Sequence, residues 1–481
     1  MKRTPQRGYL MLMAIVFGAI FVTVLGALTG FVLTENRLQS NATSMARATA
    51  IAEAGIEYYR WFLAHYPNDL QNGTGQPGPY SIPYQDPEGG QTGTISLSVT
   101  GNSSCGTVTS VDLRSTGTPS ESPTVSRTIL ARYARPTVAQ YAYVLNSTVW
   151  AGEDRVILGP YHSNGGIRMD GTANSPVTSS LSSWICNSDF GCSGNQTKPG
   201  VWGAGTNQSL WEYPVPQVDF SGIAADFSAL KTKALASGRH LPRFSNSTNV
   251  NNAGYWRGYH LIFNSNGTVS VYRVSNTSVV DSQQINAIEE TDDYPDRTLI
   301  SSESFYQTLT LPSDCALIFV EDHVWIEGIV SQKVTVVSAT PALTNVKTNV
   351  MLPGNLRYAA TDGSDGLTVI SENNILITPN SPQNMTLNGI FVAQGGSFGR
   401  NRYACPSSYE PRTSLTILGT TVSNMRTGTQ WQNGCWSAFS GYTDAGYQSR
   451  VDSFDRKLST DPPPFTPQTS TDYQFVDWRE E

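Results

Sequence analysis

Charge is what this chain has least of. Asp, Glu, Lys and Arg together make up 14 % of its 481 residues, where an ordinary soluble domain carries about 25 %. The formal net charge is −7 and no basic run occurs beyond the first few residues. The electrostatic footprint of a nucleic-acid binder is therefore missing, and no nucleic-acid partner is expected. No C-x-x-C occurs, and His65, His162, His240, His260 and His323 stand apart without an H-E-x-x-H, which leaves zinc only as the rival explanation of the cysteines. No phosphate-cradling glycine loop precedes a helix, and no triad or metal-ligand spacing can be assembled. The expectation is of no catalytic residue, no metal, no cofactor and no enzyme activity.

What is present begins with a long apolar run. Tyr9 to Leu33 carries no charge, and about 20 such residues suffice to cross a bilayer as a helix. Lys2, Arg3 and Arg7 precede the run, while Glu35 and Arg37 are the near charges after it. The positive-inside rule then keeps the N-terminus cytoplasmic and exports the remainder. The competing reading is a cleaved secretory signal ending at Ala48-Thr49-Ala50, although signal cores are only about 7–15 residues long. Gly26 and Gly30 form a G-x-x-x-G of the kind that brings membrane helices close. Beyond the membrane, Leu38, Met45, Ala52, Ile56, Tyr59 and Leu63 fall on one helical face, and Pro67 ends the helix. This gives a basic leader (1–8), a transmembrane helix (9–33) and an amphipathic stalk helix (34–66).

The exported part reads as short strands. Segments 94–100, 107–116 and 126–134 alternate apolar and polar residues, which predicts a small antiparallel β subdomain over 71–136. From about Tyr141 brief apolar triplets alternate with Gly, Asn and Asp corners, the pattern of a β-solenoid, with a β-sandwich as the alternative because no strict period exists. The solenoid is expected over 137–173 and 314–440, an insertion over 174–313 and a tail over 441–481. Within the insertion, the sequence predicts a helix ending at Gly238 and a hairpin turning near Asn266-Gly267. The fold class is thus mainly β: a long N-terminal helix, an antiparallel meander and an irregular parallel β-helix with an inserted subdomain.

Six cysteines in an exported chain point to disulfides. Fifteen pairings are possible. Cys186 with Cys192 brackets a short loop, Cys405 with Cys435 flanks one strand region, and Cys105 with Cys315 is left by elimination. Glu321, Asp322 and Glu327 near His323 have the composition of an acid/base site, while alternation along a strand places them on the solvent face of a rung. The acidic run 289–297 reads as a solvated loop, and TDGSDG (361–366) as a turn rather than a calcium loop.

A basic leader ending in Gly8 and followed at once by an apolar helix resembles the type IV prepilin leader, in which a dedicated peptidase cuts after the glycine, here between Gly8 and Tyr9. Ala52-Glu53-Ala54-Gly55 resembles the AEAG box of PilX-type minor pilins. LPGNLRYAATDGSDGLTVISENNILIT, GIFVAQGGSFGRNRY and DPPPFTPQTSTDYQFVDWREE are similar to membrane-anchored β-helix proteins of bacterial surfaces. Met13 departs from the Glu that filament-packing pilins usually carry at this position, a departure familiar in large minor pilins at a filament tip. The resemblance implies a single-pass protein of the cytoplasmic membrane with an extracytoplasmic C-terminal domain, displayed at the cell surface or on a pilus. Its implied partners are the membrane, other pilins and pilus assembly machinery, and a surface glycan or protein ligand. The implied function is structural or adhesive; the rival is a membrane-tethered carbohydrate-active β-helix, a lyase or hydrolase.

Overall fold

The computed structural model describes residues 7–66, 69–237, 239–280, 296–403, 407–432, 435, 444–470 and 472–481. They form two compact units, one of residues 1–102, 110–133 and 477–481, the other of 103–109 and 134–476.

The first unit is built on one helix, α1 (Arg7–His65), about 90 Å long at 1.5 Å per residue. Proline is absent from its whole length, and it stops two residues before Pro67. Its first half is apolar and long enough to cross a membrane, and its side chains there have no protein partner: Leu10 is 74 % exposed and Phe31 67 %. Thr29 and Thr34 return their hydroxyls to the carbonyls of Leu25 and Gly30, both at 2.8 Å, which leaves these polar groups satisfied in a lipid setting. The second half buries Ala48, Ile51, Ala52, Ile56, Tyr59 and Leu63. The packed face therefore starts later than its sequence period indicates, since Leu38 and Met45 stay exposed.

That face meets a five-stranded sheet in the order Tyr80–Gln85, Gln91–Ser104, Thr107–Pro119, Arg127–Ala134 and Gln474–Glu480. Ile95, Leu97, Val111, Leu113, Ile129 and Ala131 supply its buried side. The AEAG segment has a steric task here. A Cβ on Gly55 would run into Ser115 and Ile95, and one on Gly117 of the facing strand would run into the α1 backbone at Ala48 and Ala52, so small residues on both sides let helix and sheet approach.

The second unit is a parallel β-helix with three columns of strands. One column stacks His240–Leu241, Leu317–Val320, Lys333–Ser338, Gly366–Ser371, Asn384–Ala393, Arg412–Ser423, Tyr143–Leu145, Tyr161–Ser163, Val177–Ser179 and Trp211–Glu212, every step parallel. A second runs through Gly258–Phe263, His323–Val330, Val350–Leu352, Ile375–Ile377 and Phe398–Gly399. The third joins Leu356–Tyr358 to Asn384–Ala393, Arg412–Ser423, Ala445–Ser453 and Arg155–Leu158. Two long strands bend from the third column into the first at Gly389 and Gly419, which are in register and have φ of 155° and 140°, values only glycine adopts readily.

Identical register positions stack like with like. Val337, Ile370, Val392, Val422 and Val144 form a buried apolar ladder. The next position holds Ser338, Ser371, Ser423, Ser163 and Ser179, interrupted by Ala393 and Leu145; the serines are fully buried, and each hydroxyl donates to a corner carbonyl, Ser338 to Asp322 at 2.8 Å and Ser163 to Ser147 at 2.7 Å. These bonds pair corner groups that burial would otherwise leave costly. Helix Phe227–Ser237 packs Leu230 and Ala234 into the same apolar cluster as Leu317–Val320, so both faces of that strand are buried.

Parallel pairing also continues through Val177–Ser179, Val201–Trp202, Trp211–Glu212, His240–Leu241 and Gly258–Phe263. Much of the stretch 174–313 is thus rung rather than insertion; apart from Gly258–Phe263 its rungs are two or three residues long and carry Ser, Thr, Trp or His where an apolar run would have marked them. Only pieces such as the antiparallel pair Thr268–Ser278 and Leu299–Thr310 leave the stack. The hairpin before them turns at Gly267, and Gly238 lies outside the described residues. Ala445–Ser453, placed in the tail by sequence, is likewise a rung.

Candidate functional site

The cluster that sequence puts around His323 does not come together. Glu321 faces Lys231 (2.5 Å) and His240 (2.8 Å). Asp322 is 1 % exposed and accepts the backbone N–H groups of Phe244 at 2.8 Å and Ser245 at 2.6 Å; burial outweighs these bonds and pushes its carboxyl up to about 6. His323 is also 1 % exposed, stacks on Trp256 with centroids 5.0 Å apart, and accepts the Asn349 N–H at Nδ1 (3.0 Å). Burial and then the Arg243 charge press its pKa down to about 3, so it is a neutral acceptor. Glu327 pairs with His260 (3.2 Å), whose other nitrogen meets Glu303 at 2.9 Å. Burial lowers the His260 pKa, but the two carboxylates win and hold it above the usual range. The expected solvent face is corrected accordingly: Asp322 and His323 are core groups, because the chain 240–263 covers their rung.

His162 is another core residue, bonded to Thr178 (2.9 Å) and Asn164 (3.0 Å) and lowered in pKa by burial. Asn164 continues to Asn146 and Asn146 to Asn424, each at 2.8 Å, an asparagine ladder beside the serine one. Gly395-Gly396-Ser397-Phe398-Gly399 has the G-x-S-x-G spacing, yet Ser397 is 1 % exposed and lies in a rung corner, not at a strand-to-helix elbow. In TDGSDG, Asp362 accepts the Ser364 N–H (2.9 Å) and Asp365 the Ala360 N–H (2.6 Å), closing a turn on itself. Of the acidic run, 289–295 lie outside the described residues, while Asp296 is not solvated: it is buried and accepts the Tyr403 hydroxyl at 2.7 Å and the Asn401 amide at 3.1 Å. Among the described residues no three His, Cys, Asp or Glu side chains converge as a metal site.

Disulfides join Cys186 to Cys192 and Cys105 to Cys315, with Cα–Cα distances of 5.8 and 4.5 Å. The expected pair Cys405 with Cys435 lies outside the described residues through Cys405. Of the leader, 1–6 are likewise outside; Gly8 and Tyr9 fall in the first turns of α1.

An open cleft of about 870 Å³ lies elsewhere on the solenoid, within the range of about 300–1,000 Å³ usual for ligand sites. Its walls come from distant stretches: the corner Trp150–Arg155, Arg168 with Asp170, the disulfide loop at Ser188 and Asp189, then Arg402, the segment Arg426–Gln432 and Arg450. Sequence reading missed them because no two of these stretches are near each other in the chain; stacking of rungs brings them together. The only local signal was the small Cys186–Cys192 loop, which presents Phe190. Arg168 donates to the Phe190 carbonyl (2.6 Å), bonds Asp170 (2.7 Å) and lies 4.0 Å over the Trp150 ring. Arg450 holds Asp154 through two nitrogens, at 2.6 and 2.7 Å. Arg155 and Asp452 form a buried pair at 2.6 Å, with the Tyr143 hydroxyl on the same carboxylate. Behind Trp431, whose Nε1 donates to the Arg400 carbonyl at 3.1 Å, Arg400 and Glu410 make a fully buried ion pair. Glu410 also accepts the Gly446 N–H (2.7 Å) and Arg400 donates to the Tyr409 carbonyl (2.7 Å). The result is a rigid, polar cleft with indole surface in its walls.

No known family matches the chain, and neither does any curated protein. Among solved structures, the competence-associated pilin ComZ from Thermus thermophilus is similar over 91 % of this chain and 98 % of that chain, with 12 % identity and a TM-score of 0.31.

Proposed function

We propose that the protein is a non-enzymatic, membrane-anchored surface protein of the minor-pilin type, which uses α1 as anchor and stalk and displays the β-helix outside the cell. The observation that carries this reading is the division of labour within α1. Tyr9–Leu33 is uncharged and unpartnered, while Ala48–Leu63 is buried against a sheet with Gly55 at the point of closest approach. A core helix would be buried throughout, and a cleaved signal would not supply a folded unit with its packing face. The basic leader before Tyr9 and the AEAG box support the PilX-like form of the proposal; Met13 favours a tip or minor position over bulk polymerisation. The disassembly of the His323 cluster into separate contacts supports the absence of turnover. Mass spectrometry of protein from the native envelope is expected to find a chain beginning at Tyr9, with part of it in the sheared surface fraction. A chain beginning at Met1 and confined to the membrane overturns the pilin form, and one beginning near Ile51 overturns anchoring. Turnover of polysaccharide lost on Glu153→Gln substitution overturns the non-enzymatic reading.

A further inference from the structure

We propose that the cleft between Trp150 and Trp431 binds an acidic saccharide, a run of hydroxyl-rich rings bearing carboxylates; this rests on the display reading and names what the displayed β-helix holds. Five arginines line the cleft, and three are already matched: Arg155 by Asp452, Arg168 by Asp170 and Arg450 by Asp154. Two are not. Among the described residues Arg402 makes no ion pair, and its buried Nε–H has no acceptor there. Arg426 directs one nitrogen to the Asp189 carbonyl at 3.0 Å and lies 4.9 Å over the Phe190 ring, with no carboxylate partner among the described residues. A buried donor without an acceptor is costly, and an arginine fork fits a carboxylate through two parallel bonds.

The remaining polar groups suit hydroxyls. Among the described residues Glu153 has no ion pair and Gln432 no hydrogen bond, and both are exposed on the cleft wall. Trp150 and Trp431 are half-buried, so each leaves indole surface open to the C–H face of a sugar ring. A neutral glycan would leave the two guanidinium groups unmatched. A phosphate polymer carries its charges closer together than sugar rings space theirs and would crowd them against Glu153, Asp189 and Asp444. A sugar chain with spaced carboxylates satisfies both sets. The arginines that are matched hold Asp154 and Asp170 in place, so the cleft is pre-formed and little ordering is required on binding.

The test is calorimetric titration of the full chain in detergent micelles with hexamers of galacturonate, glucuronate and mannuronate, their carboxyl-reduced counterparts, and polyphosphate of matched charge. At least one uronate hexamer is expected to bind. Carboxyl reduction or Arg402→Gln is expected to weaken it about tenfold or more, the scale of a charge-assisted hydrogen bond. The pair Arg402→Gln with Arg426→Gln is expected to abolish binding, with melting unchanged; Glu153→Gln, which touches no arginine, gives an independent loss through the hydroxyl side. No binding of any uronate hexamer overturns the proposal, as does equal binding of the reduced hexamers or of polyphosphate. Because this readout does not depend on cleavage or surface location, binding by a chain that is uncleaved in its host would sink the display reading alone.

Discussion

Two regions of the β-helix hold similar side chains and put them to opposite uses. Around His323, one histidine and three carboxylates that are close in sequence are each taken up by a separate partner. Around Trp150, arginines and carboxylates from several separate stretches of chain open onto one cleft. In a stack of rungs, neighbours along the chain diverge to different faces, whereas neighbours in space are one turn of chain or more away. Proximity in sequence is thus a poor guide to a shared site in this architecture, and register is the better one.

The comparison can be broken hardest behind the cleft wall. Glu410→Leu leaves Arg400 buried and unpaired and is expected to cost about 3–5 kcal/mol in chemical denaturation; Arg400→Leu on the same chain should restore much of it. His323→Phe keeps the stacking on Trp256 but orphans the Asn349 N–H, with an expected loss of about 1–3 kcal/mol. A loss as large as that of Glu410→Leu would mean the two regions are equally strained.

Titration sharpens the contrast further. His323, held near 3, takes no proton in the folded state while the unfolded chain takes one near about 6.5, so stability falls as pH drops from there toward 3. His260 has the opposite sign: its pKa is raised, so its contribution is complete below about 6.5 and fades as pH rises through the raised value. Melting curves of His323→Gln should lose slope on the acid side relative to the parent, and those of His260→Gln on the neutral-to-alkaline side. Asp322, raised by burial, is common to parent and variant and cancels in that difference. Smallest of all is the effect expected at the cleft: Arg402→Gln should change stability by no more than about 0.5 kcal/mol. A larger change would show Arg402 to be structural.

Sequence period made the long helix, the antiparallel strands and the parallel β-helix legible, because each has a repeating apolar position. It failed where burial is polar. Ser163 and Ser179 occupy rung positions whose fitness lies in hydrogen bonds to a corner carbonyl, and Thr178 one whose hydroxyl meets His162 on the paired strand, and hydropathy cannot see that. The group at His323 was misread for the same reason: it looks solvent-facing by alternation until a strand from elsewhere, Gly258–Phe263, is laid beside it. The cleft was illegible because its walls are assembled by register alone, and the Cys186–Cys192 loop gave only a hint of one side.

The order of rungs has a consequence for how the chain comes to be folded. Tyr143–Leu145 docks on Thr421–Ser423, and the bond from Thr420 to the Tyr141 carbonyl joins residues 279 positions apart. During synthesis the strands from 143 to 212 emerge early with one edge bare, and their template arrives only after nearly all the intervening chain. Such non-local closure is slow, and an open strand edge invites misassembly while it waits. A ribosome that stalls before residue 420 would therefore release a stack with an uncapped end.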